Sequence, residues 1–323
     1  MTQISLAPFS NFNSAVPWGL WVVIYIWLVG ISVGSFVLVM WGNLKESENL
    51  KALTKIGTIL SISTLLSGLL SIQIDLGHIE RFPKLFLSPN FNSIMAWMAW
   101  LYTFYLAVLL FSCRWLKKEV PKLFCGFSII FALAALIAES LLFSLPPGKT
   151  WHSLFFPLHF IASSFVSGIA ALIILTAILK VRTARDQLIK SLRKIALAFV
   201  ALNTLIEIIE LATHKSLFHP AGLLLLSLNI IIIALLLKNN PAGIIKAGYL
   251  GLIQVFLSKY HSIISAQVIA PYKGFAQAYI EPRLNYSYVP TFFEIIVAAG
   301  LLVAVLVVFY FLYKIFPYDH REA

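Results

Sequence analysis

The sequence predicts an all-α, polytopic membrane protein with about nine transmembrane helices, on three observations. Of its 323 residues, 60% are hydrophobic and only 11% are charged, whereas soluble domains run near about 45 to 50% apolar. The mean hydropathy is +0.91. Apolar stretches of the roughly 20 residues that a bilayer-spanning helix needs recur along the whole chain.

The spans fall at residues 18–41, 53–74, 92–114, 123–144, 156–179, 194–213, 220–237, 242–262 and 289–314, with Pro and Gly mostly at their edges. The eighth is the weakest, because Lys246, Gln254 and Lys259 dilute it. Seventeen Lys and Arg residues fall on one side of this arrangement and seven on the other. The positive-inside rule therefore puts the N-terminus outside and the C-terminus in the cytoplasm, as an odd number of spans requires. Topology accounts for the net charge of +11; no basic run interleaved with stacking aromatics points to nucleic acid. Residues 1–16 carry no Lys or Arg, so the first span is expected to be retained rather than cleaved as a signal peptide.

The two cysteines, Cys113 and Cys125, form no CxxCH or clustered CxxC. That argues against covalently attached haem and against a Cys-ligated iron-sulfur cluster within this chain.

The first and fifth spans can be laid over each other, Tyr25 to Gly34 against His159 to Gly168. The second and sixth end alike, in Asp75-Leu-Gly-His78 and Glu210-Leu-Ala-Thr-His214. These similarities predict parallel repeats related by an axis along the membrane normal. The expected organisation is an outer N-terminal segment (1–17), a first four-helix bundle (18–145), a second (146–263), an outer loop (264–288), and a ninth helix with a cytoplasmic tail (289–323). Gly30 and Gly34, in a small-xxx-small spacing, would let helix backbones approach closely.

Acids within the spans gather in the outer half: Asp75, Glu139, Glu207, Glu210 and Glu294. Six of seven histidines lie at or near that face, all but His320. Ionisable residues at mid-bilayer cost on the order of 3 kcal/mol each, so a one-sided cluster is a functional-site hypothesis. Asp75 and His78 are three apart, and a carboxylate beside an imidazole makes a pair suited to passing protons near neutral pH. A lipid-soluble substrate that takes up two protons with two electrons, such as a quinone, needs such groups. Trp18, Trp21 and Tyr25 share a helix face; Trp18 suits the interfacial aromatic belt, and Trp21 and Tyr25 lie deep enough to line a pocket for a flat ring. Glu207, Glu210 and His214 form a second stripe, read first as interhelical glue, with a duplicated site or a proton path as alternatives. His159 is the one histidine well inside a span, so paired axial ligation of a b-type haem is disfavoured. A di-haem cytochrome subunit, a transporter or a non-redox anchor are the rival functions.

Several motifs, taken together and in order, resemble the polysulfide reductase membrane-subunit family of the NrfD/PsrC type. They are Pro17-Trp-Gly-Leu-Trp21 followed by Gly30 and Gly34, Asp75-Leu-Gly77, and Ser88-Pro-Asn90 leading into Ser93 and Trp97. Lys259-Tyr260, Gln267, Tyr288-Val-Pro290 and Glu294 are similar to the branch that contains the hydrogenase-2 membrane subunit and the sulfite-reduction-associated membrane protein. The chain departs from that branch in having His78 where many relatives have Arg, with Arg81 a possible replacement cation. The resemblance implies a quinone- or quinol-reacting subunit without a covalently bound cofactor, in the cytoplasmic membrane of a bacterium or archaeon. Its quinone, menaquinone or ubiquinone, would bind near the outer end of the first bundle. The implied partners are a ferredoxin-like iron-sulfur subunit, docked on the outer loop, and a catalytic subunit: a molybdopterin enzyme, a hydrogenase or a multihaem cytochrome. Carried onto this chain, Asp75 matches the motif acid and is the first candidate for proton exchange with quinone. Glu139, Trp21 and Tyr25 are candidates by depth, and His78 and Arg81 follow.

Overall fold

The structure, a computed structural model, describes residues 16–76, 79–116, 118–144, 155–179, 185–213, 219–268 and 286–316. His78, His214 and residues 269–285 of the outer loop lie outside these. Among the described residues, nine helices are long and apolar enough to cross a membrane, and the chain is an integral membrane protein.

Their order is α1 (Leu20–Leu44), the short α2 (Glu48–Lys51), α3 (Thr54–Asp75), the short α4 (Lys84–Leu87), α5 (Ile94–Ser112), α6 (Lys122–Ser144), α7 (Phe155–Ile178), α8 (Arg185–Thr213), α9 (Pro220–Leu237), α10 (Pro241–Val268) and α11 (Phe292–Ile315). Proline opens α9 and α10 at the first helical turn, where a missing N–H costs nothing. Asn240 caps α10, accepting from the Gly243 amide at 2.5 Å. Thr291-Phe-Phe-Glu294 closes a reciprocal capping box at the start of α11. Two boundaries differ from the sequence expectation. Helix α8 begins nine residues before position 194, because its polar first turns, with Asp186, Gln187 and Lys190, continue the helix beyond the apolar stretch. Helix α10 runs to Val268 because Gln254 and Lys259 are buried against neighbouring helices rather than presented to lipid. Lys259 is therefore an interior charge and not part of the outer-face count.

Helix α1 is the axis of the molecule, with nearly every side chain buried. It packs on α3, α6 and α7, while α7 packs on α8 and α10; α5 pairs with α6, α9 with α10, and α11 lies on α3. Hydroxyls stitch α1 to α3: Ser32 donates to the Ser61 carbonyl at 2.8 Å and Ser71 to the Trp21 carbonyl at 2.7 Å. Such polar contacts substitute for a hydrophobic driving force between helices in lipid.

At the α1–α7 crossing, a Cβ on Gly34 would collide with the Ser164 carbonyl oxygen, and one on Gly168 would stand 2.5 Å from the Gly34 carbonyl carbon. Gly30 faces Ser164 in the same way, at 2.9 Å from its hydroxyl. The two helices thus run in the same direction and meet through positions that the repeat alignment makes equivalent: Gly30 with Ser164, Gly34 with Gly168.

Candidate functional site

The end of α10, the start of α11 and the segment before it converge on the start of α1. The Trp18 amide donates to Gln267 Oε1 at 3.0 Å, the Leu20 amide to the Tyr288 hydroxyl at 2.6 Å, and Trp21 Nε1 to the Glu294 carbonyl at 3.2 Å. Around this junction the titratable residues fall into three groups.

The first group is Glu139 of α6 with Tyr25 of α1 and Tyr102 of α5. Glu139 is completely buried, and neither carboxyl oxygen has a hydrogen-bond partner among the described residues. Tyr25 and Tyr102 interact with it but stand outside regular hydrogen-bond geometry. The Tyr25 hydroxyl instead meets the Met98 sulfur at 3.7 Å, a weak contact. The Tyr102 hydroxyl, also buried, has no regular partner among the described residues. Buried polar groups are almost always satisfied, and an exception calls for an explanation such as an unfilled ligand or water position.

The second group is Asp75, Trp21, Tyr288 and Glu294, between α1, α3 and α11. Asp75 is the last residue of α3, partly buried, and within electrostatic reach of Glu294. The Glu294 carboxylate accepts from the Thr291 amide at 2.7 Å and from the Tyr288 hydroxyl at 3.4 Å. Burial, and then the Glu294 charge, push the Tyr288 hydroxyl well above its usual range, so it stays protonated as a donor.

The third group belongs to α7–α10. His159 Nδ1 lies 2.5 Å from Glu210 Oε2 and His159 Nε2 3.3 Å from the Ser258 hydroxyl. Glu207 accepts from Asn229 at 2.6 Å, Ser258 at 2.8 Å and Gln254 at 3.1 Å. This carboxylate is tied to two neighbouring helices at once, α9 and α10. Beside the group opens a cavity of about 530 Å³ whose lining includes His159, Glu207, Glu210, Ser258, His219 and His261.

Lys259 joins the first and third groups. Its ammonium lies over the Phe160 ring, 3.2 Å from the centroid, and donates to the Phe160 carbonyl at 3.4 Å. It is in electrostatic reach of both Glu139 and Glu210.

The sequence-derived candidates are thus distributed rather than gathered in one pocket. Tyr25 turns towards α5 and α6. Trp21, one turn away on α1, turns towards α11, where Phe293 meets its ring edge-on. Asp75 is grouped with Glu294, not Glu139. Arg81 is exposed, with Glu80 4.0 Å away. Tyr102, Asn229 and Ser258 were not singled out by sequence, since a lone Tyr, Asn or Ser in an apolar span has no signal of its own. Gln254 and Lys259 carried one: their dilution of the eighth span marks residues that must find polar partners inside the protein.

The family model described as polysulphide reductase, NrfD, matches residues 9–271. The chain is 24% identical to a selenate reductase subunit of Mesobacillus selenatarsenatis, over 97% of this chain and 88% of that protein. It is 23% identical to the Hdr-like menaquinol oxidoreductase integral membrane subunit of Archaeoglobus fulgidus, over 95% of this chain and 86% of the relative.

Proposed function

The chain belongs to the NrfD polysulphide reductase family, and on that basis we propose that it is the quinone-interacting integral membrane subunit of a respiratory oxidoreductase complex. It exchanges electrons with an extracytoplasmic, ferredoxin-like iron-sulfur subunit and protons at the outer face. That iron-sulfur partner links it to a catalytic subunit of the molybdopterin, hydrogenase or multihaem class, and the chain turns over only within that assembly. The names of its relatives, a reductase subunit and a menaquinol oxidoreductase membrane subunit, support this reading.

The observation that carries it is the Glu139 carboxyl, wholly buried and without a fixed hydrogen-bond partner among the described residues, beside two tyrosine hydroxyls. A quinone that gains two electrons must take up two protons. A carboxyl held apart from any permanent partner can give a proton to a quinone oxygen and recover it, and phenols can orient the ring. Asp75, nearer the outer surface, serves as the proton exchanger between this centre and the outside, with Trp21 and Glu294 fixing the helix ends around it. Arg81, exposed beside Glu80, and His78, outside the described residues, are secondary candidates on the same stretch of sequence as Asp75. Against haem ligation stands His159, whose two ring nitrogens are both engaged, by Glu210 and Ser258.

The test is quinone-linked turnover of the intact complex carrying Glu139→Gln. We expect at least a tenfold loss with the subunits still assembled; undiminished turnover removes Glu139 from the mechanism. A visible spectrum of the purified chain addresses the haem alternative, since a strong Soret band would overturn the cofactor-free reading.

A further inference from the structure

We propose that the second half of the molecule carries its own binding site for a lipid-soluble hydroquinone, in the cavity between α7, α8, α9 and α10. This goes beyond the reaction centre at Glu139, which lies between α1, α5 and α6.

Three features identify the ligand class. First, the cavity, at about 530 Å³, lies within the 300–1,000 Å³ range of small-molecule sites. Leu224 and Val268, which line it, are 51% and 37% exposed, so apolar side chains on the outer surface of the helices frame an opening. Such a frame suits an apolar ligand.

Second, the polar side is built for neutral hydroxyl groups. Glu207 and Glu210 are buried acceptors held in place by Asn229, Gln254, Ser258 and His159. The His261 ring lines the same cavity. A hydroquinone can donate one hydroxyl to the His261 ring and the other to a carboxylate. A phospholipid would bring its anionic phosphate against two carboxylates, and the nearby cation, Lys259, is turned away onto Phe160. Third, Phe156 and Tyr260 add aromatic rings to the lining, and Leu211, Leu225 and Ile264 an apolar lining for a ring and the start of an isoprenoid tail.

The test is photolabelling of the intact complex in phosphatidylcholine nanodiscs with an azido-substituted naphthoquinol, the labelled residues being located by mass spectrometry. Label is expected in the α9 and α10 peptides that line the cavity, competed by unlabelled naphthoquinol. Ser262→Phe, which fills the cavity from α10, should lower that label at least tenfold; Ala221→Phe fills it from α9 and serves if the first variant does not accumulate. Absence of label from α9 and α10, label that survives a filled cavity, or label displaced by added phosphatidylethanolamine but not by naphthoquinol would each overturn the proposal. Label on α5 and α6 peptides is read in the same sample and reports on the Glu139 centre, so the two sites stand or fall separately.

Discussion

Two regions of the molecule, one around Glu139 and one around Glu207 and Glu210, treat a buried carboxyl in opposite ways. Tyr25 and His159 occupy matching places on α1 and α7, nine residues before the glycines at which those helices touch. Near Tyr25, Glu139 is left without a regular partner among the described residues. Near His159, Glu207 accepts from three side chains and Glu210 pairs with the imidazole. In the second half the acids are structural as well as polar, because each bond crosses from one helix to another. The Glu139 carboxyl makes no such bond among the described residues and is costly to bury. A group that costs stability without holding helices together is best explained by reactivity.

The comparison breaks most completely where the halves meet. Gly34→Leu would drive a side chain into the Ser164 backbone, which cannot retreat. We expect the amount of folded protein in membranes to fall at least tenfold, measured by immunoblot, whereas Gly300→Leu on α11, where a Cβ would meet nothing within 4 Å, should accumulate normally. Next in size is Asp75→Asn, which should lower quinone-linked turnover about tenfold while assembly persists; unchanged turnover would confine the mechanism to Glu139. Glu207→Gln presents an amide where three donors converge, so it should lower the thermal midpoint of the purified complex by several degrees, an effect of about 1–3 kcal/mol for a buried partner lost. Its turnover per assembled complex should stay within about threefold of wild type; a collapse as deep as that of Glu139→Gln would make the halves functionally alike. The smallest effect is expected for Arg81→Ala, since its side chain is exposed and its Glu80 contact of 4.0 Å is weak. Turnover should change less than about twofold.

Much of the fold was legible in the sequence, since hydropathy marks spans directly and Gly30 and Gly34 advertised a close helix contact. The capping box at Thr291 and Glu294 emerged only from the structure, and it gives Glu294 a structural role beside any chemical one. The site was legible only as depth. Hydropathy and charge counting predict Asp75, Glu139, Glu207 and Glu210 in the outer halves of their spans, but they carry no information on which way each side chain turns. Trp21 and Tyr25, neighbours on one helix face, diverge because their rings reach to α11 and α5 respectively. The partners of Glu207 were illegible for a related reason: Asn229 and Ser258 become significant only once α9 and α10 bring them to one carboxylate.

The central claim is that the proton chemistry of quinone belongs to Glu139 and not to the carboxyls of the second half. The most direct measurement is infrared difference spectroscopy of the intact complex between its quinone and quinol forms. The account predicts a protonated-carboxyl C=O band that responds to quinone reduction, disappears in Glu139→Gln and persists in Glu207→Gln. A band that survives Glu139→Gln, or one that vanishes with Glu207→Gln instead, would contradict it.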